Sequence, residues 1–259
     1  MILFMKQRTK RLLINIAQIA ALIVVALLLW YIVAIATNSE LIVPNPWAVL
    51  KLTFSLLGQG QTYLALLFTL LRAVVAFVVS ALFASCLCML VVVWDKCSFC
   101  VNAVVTFLRA LPTIAIILIT LILFHSTTVP AVVAFLVVFP VMYSRLRREL
   151  EHNGKLLDVC KVYNVSVAKK IRFVFFPIVR DELLTFVRDD LPLCIKVVVA
   201  GEVLALPLSG IGRQMYIGKV NLDTAQVVAL TVLTLIVCFA ISGIVALCQA
   251  RLGQRSSRS

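Results

Sequence analysis

Charge is scarce in this chain. Only 14% of its 259 residues are Asp, Glu, Lys or Arg, against 63% hydrophobic residues, and the mean hydropathy of +1.12 lies well outside the range of soluble domains. No Gly-x-x-x-x-Gly-Lys-(Ser/Thr) phosphate loop occurs, which excludes ATP hydrolysis by that mechanism. A Ser/His/Asp set, a His-Glu-x-x-His pattern and carboxylates placed for hydrolysis are missing too, so catalysis has no visible seat. The two histidines, His125 and His152, are isolated and give no metal site. The eight cysteines lie mostly inside apolar runs without secreted disulfide spacing, as small buried residues do. Cys97-Ser-Phe-Cys100 is a single C-x-x-C without a second pair or a βαβ pattern, which argues against metal or redox chemistry. No catalytic residue, cofactor site or metal site is expected.

What the chain has in abundance is long apolar runs. A helical span needs roughly 20 apolar residues, because in lipid only a helix or a closed barrel satisfies its own backbone polar groups. That criterion predicts an all-α, polytopic membrane protein, one transmembrane domain over 1–259, with six spans at 12–36, 64–93, 101–124, 129–147, 183–206 and 225–249. The first run, Leu12 to Ala36, far exceeds the roughly 7–15 residues of a signal-peptide core and reads as a retained span. Between spans one and two, Trp47, Leu50, Phe54 and Leu57 form an amphipathic stripe suited to the membrane surface.

The net charge of +13 would suggest nucleic acid in a soluble protein. Here it follows topology. With the N-terminus inside, seventeen basic residues fall on one side: Lys6, Arg8, Lys10, Arg11, Lys96, the nine from Arg145 to Arg180, and Arg251, Arg255 and Arg258. Three, Lys51, Arg213 and Lys219, fall on the other. The positive-inside rule then places both termini in the cytoplasm, at a membrane lipid surface and away from nucleic acid.

The largest polar stretch, about 148–182, lies on that same inner side. Leu156, Cys160 and Tyr163 follow i, i+4, i+7 spacing, and Val167, Ile171 and Val174 repeat it. Asn164 between them tolerates a tight turn, Ser166 can cap the next helix, and Pro177 suits the first turn of another. The stretch reads as a helical hairpin. Two roles suit it: a loop on anionic headgroups, held by Lys169, Lys170 and Arg172, or a docking element.

Its spacing resembles the EAA loop of ATP-binding-cassette importer permeases: Glu-Ala-Ala, three residues, Gly, nine residues, Ile, one residue, Leu, Pro. Asp158, Val159 and Cys160 take the Glu-Ala-Ala positions, Asn164 the Gly, Val174 the Ile, Phe176 the Leu and Pro177 the Pro; only the proline is identical. From about residue 41 to 250 four segments also resemble the nitrate/taurine/sulfonate branch in order and spacing: "LIVPNPWAVL", "FLRALPTIAIILITLILF", "VVAGEVLALPLSGIGRQMYIG" and "DTAQVVALTVL". The resemblance implies a type I importer fold in a bacterial cytoplasmic (inner) membrane. It also implies two cytoplasmic ATPase subunits on the hairpins, a second permease copy (homodimer or related heterodimer) and an extracytoplasmic solute-binding protein. Asp158, Val159, Cys160, Tyr163, Asn164, Val174, Phe176 and Pro177 would then couple to the ATPase.

Ionisable groups at membrane depth cost at least a few kcal/mol unless paired or solvated, so they mark candidate pathway positions. Arg109, Arg188, Asp190, Lys196 and Glu202 are those candidates, and Pro112, as a kink beside Arg109, joins them as a possible pathway position. Arg188 could pair with Asp181 or Asp190, and Arg188, Asp189 and Asp190 equally suit headgroup level or a tie between helices. Arg109 and Pro112 fit a kinked helix or a snorkelling arginine. Lys196 and Glu202, six residues apart, do not share a helix face and look to different partners. The rival from another class is an ion channel or proton-coupled carrier using Arg188, Asp190, Lys196 and Glu202 as a relay.

Overall fold

The computed structural model describes residues 2–37, 39, 41–163 and 165–256, without the side chains of 2–16, 19, 20, 95, 155, 157, 158, 161 and 250–256. The described residues form helices and no strand. In chain order these are α1 (Ile2–Thr37), α2 (Pro46–Leu56), α3 (Gly60–Val93), α4 (Ser98–Ala110), α5 (Thr113–Leu123), α6 (Val129–His152), α7 (Gly154–Val162), α8 (Val167–Lys170), α9 (Phe176–Ala205), α10 (Ile211–Val220) and α11 (Thr224–Ser256). A 3₁₀ turn, Asp95–Cys97, precedes α4, and a π turn, Ile171–Phe175, joins α8 to α9.

The residue pattern of α3 is inverted relative to a soluble helix. Ala65, Thr69, Ala73, Ala76, Ser80, Ala84 and Cys88, spaced by three or four, are buried, while Leu64, Leu67, Leu71, Val75, Val79 and Leu82 face outward. Small residues let helix backbones approach closely where lipid supplies no hydrophobic drive, and the large side chains are left to the acyl chains. α6 is the central helix and packs on both α3 and α9. Its buried face includes Val133, Val138, Met142, Tyr143, Leu146 and Leu150.

Cross-links fix the helix directions. Arg72 Nε donates to the Thr127 carbonyl and Cys88 Sγ to that of Tyr143, so α3 and α6 run parallel. Arg145 meets Asp189, and a Cβ on Gly201 would lie 3.0 Å from Pro130, so α9 runs antiparallel to α6. α11 in turn opposes α9, with Ser242 against Arg188 and Cys238 against Pro192. Because α3 and α6 are parallel, the α4–α5 leg must carry the chain back across the layer between them.

That leg is not one straight helix. The stretch 101–124, expected as a single span, is two helices meeting at 98° across Leu111 and Pro112. Pro112 supplies the break: it lacks an amide proton, and it forces the preceding residue out of the helical region, with Leu111 at φ −69°, ψ 131°. α4 lies against the C-terminal half of α6, where Tyr143 Oη donates to Asn102 at 2.8 Å and Arg109 reaches Ser144 Oγ at 3.1 Å.

Among the described residues, α3, α6 and Thr224–Gln249 of α11 are long and apolar enough to cross a membrane, and α4–α5 adds a fourth if counted as one bent span. Ala21–Thr37 of α1 is a shorter apolar helix. α9 has the length, 30 residues, about 45 Å, but Arg188, Asp189, Asp190, Lys196 and Glu202 interrupt its apolar character. In α2 it is Val49, Thr53 and Leu56 that face the bundle, on α11. Of the expected stripe, Trp47, Leu50 and Phe54 face outward, while Leu57 is half-buried against the core.

Candidate functional site

α9 gathers most of the polar side chains in the apolar bundle, and it is tied differently near its C-terminal end and at its middle. Near the C-terminal end, Glu202 is fully buried. Its Oε1 accepts from Arg72 Nη1 at 2.7 Å, and its Oε2 accepts the Gly212 amide at 3.0 Å. The Thr69 hydroxyl lies 2.9–3.0 Å from both oxygens and accepts the Ile211 amide at 3.0 Å. Arg72 is in turn held by the Ser209 carbonyl at 2.7 Å and the Thr127 carbonyl at 3.2 Å.

The local sequence makes this cradle possible. α9 ends on Leu206 in the left-handed region (φ 49°), its amide closing on the Glu202 carbonyl. The chain then returns through Gly210, whose φ of 156° and whose approach to Glu202 both exclude a side chain: a Cβ there would sit 2.5 Å from the carboxylate. Gly212 is closed off the same way, by the backbone of Val203 and by Glu202 Cβ at 2.6 Å. The first two amides of α10 therefore point into the site, an arrangement suited to an anion, and the anion is Glu202.

At the middle of α9 the tie is looser. Arg145 of α6 reaches Asp189 Oδ2 at 3.1 Å and Asp190 Oδ1 at 3.3 Å. Asp190 is 1% exposed, yet its Oδ2 has no partner among the described residues. Arg188 pairs with neither Asp181 nor Asp190: it folds onto adjacent Asp189 at 2.8 Å and reaches Gln249 of α11 at 3.2 Å. Pro192 explains the Ser242 contact. It cannot donate to the Arg188 carbonyl one turn back, so the Ser242 hydroxyl does, at 2.9 Å.

The remaining candidates are spread out. Lys196 is exposed on α9 between the two ties. Arg109 and Pro112 lie at the α4–α5 break, remote in sequence and contact from the Glu202 cradle. Sequence reasoning passed over Arg72, Thr69 and Arg145. The signal was there for Arg72: an arginine deep in an apolar run needs an acid, and Glu202 is at the matching depth of an antiparallel helix.

The hairpin is built by α7, α8 and the π turn, and α7 touches the bundle mainly through α6. Leu156, Val159, Val162 and Tyr163 are exposed, Tyr163 by 77%, and Cys160 is half-buried. Asp158 is described only as backbone of α7, and Asn164 lies outside the described residues. Ser166 stands at the start of α8 without a side-chain cap. Val174 and Phe175 are buried while Phe173 and Phe176 face outward.

The π turn has a local cause. Pro177, in the first turn of α9, has no amide for the Phe173 carbonyl, and the Phe176 amide bonds instead to Ile171, five residues back. The hairpin thus enters α9 through continuous helix with one irregular turn.

Comparison with known proteins gives one family: the model of the binding-protein-dependent transport system inner membrane component matches residues 95–255, more than half of the chain. That range takes in the hairpin, α9 and α10 but not Arg72. No curated protein matches the chain.

Proposed function

The chain belongs to the binding-protein-dependent transport inner membrane components, the permease subunits of ATP-binding-cassette importers, and from that premise we propose that its 148–182 hairpin is the element through which ATPase subunits drive transport. Such a permease is a membrane component and not itself catalytic. The observation that carries the reading is the exposed apolar surface of Leu156, Val159, Val162 and Tyr163, on and just after α7, in a hairpin whose second arm, α8 and the π turn, runs on into α9. A protruding apolar knob flanked by basic residues suits a pocket on a soluble partner.

In this reading the six helical legs α1, α3, α4–α5, α6, α9 and α11 are six spans, both termini are cytoplasmic, and the membrane is a bacterial inner membrane. Two ATPase subunits engage the hairpins of two permease copies, and a binding protein delivers a small solute on the far side. The likeness of four segments to the nitrate/taurine/sulfonate branch supports that branch. Approach of the ATPases would push the hairpins, and the π turn ahead of Pro177 is where the push enters α9. A proton or ion relay has less support: Asp190 and Glu202 are each bonded to an arginine from another helix, and Lys196 stands between them with no bond to either.

Site-directed crosslinking tests this. With Val159→Cys in the intact assembly, a short bifunctional thiol reagent should join the hairpin to a co-expressed ATPase subunit, and nucleotide should change the yield. Labelling of that cysteine by lipid-soluble reagents alone, with no ATPase adduct while transport continues, would sink the reading.

A further inference from the structure

α4 is tied to α6 but packs only lightly on α3. Between α3 and α4, with α6 as its floor, lies a slot of about 260 Å³ whose walls include Phe83 and Leu87 of α3, Cys100, Val104 and Val105 of α4, and Phe139 of α6. The lining is apolar throughout. Water finds no hydrogen-bond partner there, so it does not fill the space. Phe83, Cys100 and Val104 are exposed, which leaves the slot open on one side. Phe83 stands edge-on to Phe135 and Phe139, with ring centroids 5.6 and 5.1 Å away, so the floor is packed and preformed.

Followed toward the hairpin side of the bundle, each wall runs out on a residue of the membrane interface. On α3, Leu90 and Trp94 continue the stripe of Phe83 and Leu87, and Trp94 is 61% exposed, as tryptophans at headgroup level are. Lys96 lies one turn before Cys100 and is exposed. On α6, Tyr143 and Arg147 follow Phe139 at intervals of four, and Arg147 Nη2 reaches Ser98 Oγ at 3.4 Å, which brings it to the corner where α4 begins. The rise from Phe83 to Trp94 is about 16 Å, close to the hydrocarbon depth of one leaflet. Lys96 makes no ion pair among the described residues, Arg147 pairs with exposed Glu151 at 2.9 Å, and Arg148 beside it is exposed. Asp95, next to Lys96, is described only as backbone. A leaflet-deep apolar slot with cations at its mouth matches an anionic phospholipid, tail and headgroup together. We propose that the slot between α3 and α4 binds one acyl chain of an anionic phospholipid from the hairpin-side leaflet, with its phosphate at Lys96 and Arg147. The bound tail supplies the packing that α3 and α4 do not give each other.

The test uses the purified full chain in detergent, titrated with phosphatidylglycerol or phosphatidylcholine. Native mass spectrometry should show one tightly held phosphatidylglycerol per chain, and the thermal unfolding midpoint should rise saturably with that lipid. Lys96→Gln should weaken phosphatidylglycerol about fivefold and leave phosphatidylcholine nearly unchanged. Val104→Phe fills the slot and should abolish both the adduct and the lipid-dependent rise, while its midpoint without lipid stays level or increases. Cys100→Leu fills it from the same wall and replaces Val104→Phe if that variant is less stable. Val75→Phe, on the exposed face of α3 away from the slot, should behave as wild type. Equal lipid retention in wild type, Val104→Phe and Cys100→Leu would mean annular lipid only and overturn the site, as would the lack of any tight adduct. A third outcome is cover by protein. With cysteines 86, 97, 160 and 248 replaced by serine, Cys100 is the exposed thiol that remains, and a covalent dimer formed through it by a short crosslinker in native membranes would show a second chain over the slot and overturn the proposal.

Discussion

α9 is held at two places by an arginine from a neighbouring helix, near its C-terminal end and at its middle, and the two ties are held to different standards. At the C-terminal end, Glu202 is sealed with both oxygens bonded, by Arg72, Thr69 and the Gly212 amide. At the middle, Arg145 divides itself between Asp189 and Asp190 at 3.1 and 3.3 Å, and a buried Asp190 oxygen is left over. A fully satisfied buried network rigidifies; a partly satisfied one leaves alternatives close in energy. The contrast teaches where α9 is anchored and where it is free to shift. The looser tie is the one on the hairpin side, from which α9 runs back to the π turn.

The largest expected effect breaks the anchored end. Arg72→Met would strand Glu202 in the bundle without its cation, and removing one partner of a buried pair costs about 3–5 kcal/mol. The purified full chain in detergent should show a marked fall in its thermal unfolding midpoint. Arg72→Met combined with Glu202→Gln should recover much of the loss, because the uncompensated charge is gone. If Arg72→Met proves no worse than the change considered next, the two ties are equivalent and the comparison fails.

At the middle of α9, Asp190→Asn should cost less, about 1.5–3 kcal/mol, the range for one hydrogen bond to a charged group. Arg145 keeps Asp189, so no cation is stranded. The same unfolding measurement ranks it against Arg72→Met, and hydrogen exchange should show faster exchange confined to the N-terminal half of α9. Exchange that spreads to α10 would mean the two ties are coupled as one rigid body.

How much of this could be read beforehand divides along physical lines. Apolar runs announced the helices, since length and hydropathy are local properties, and Pro177, Pro192 and Pro112 marked their irregularities, since a missing amide acts on the residue four back wherever it falls. Glu202 stood out because a carboxylate in an apolar run has to be answered. Which group answers it depends on helix directions: Arg72 is 130 residues away in sequence, and only the antiparallel placement of α3 and α9 brings them to one depth. The angle of the α4–α5 break was hidden for a similar reason. A proline breaks the ladder, but the packing of α4 on α6 decides how far the chain turns. The outward Trp47, Leu50 and Phe54 stripe of α2 shows the converse: in a membrane an apolar stripe does not say which side is protein and which is lipid.

The smallest predicted effect concerns Pro192, just past the mid-helix tie. Ser242→Ala removes the hydroxyl that serves the Arg188 carbonyl in place of the missing helical donor. Alone it should cost about 1 kcal/mol, the worth of one hydrogen bond, with the carbonyl left unserved in a region short of water. In a Pro192→Ala background the helix itself supplies an amide to that carbonyl, so there Ser242→Ala should cost close to nothing. The four unfolding midpoints of this cycle isolate the compensation from any general effect of the serine. An equal cost in both backgrounds would mean that the hydroxyl acts through some other contact, and that the proline break in α9 is tolerated without help from α11.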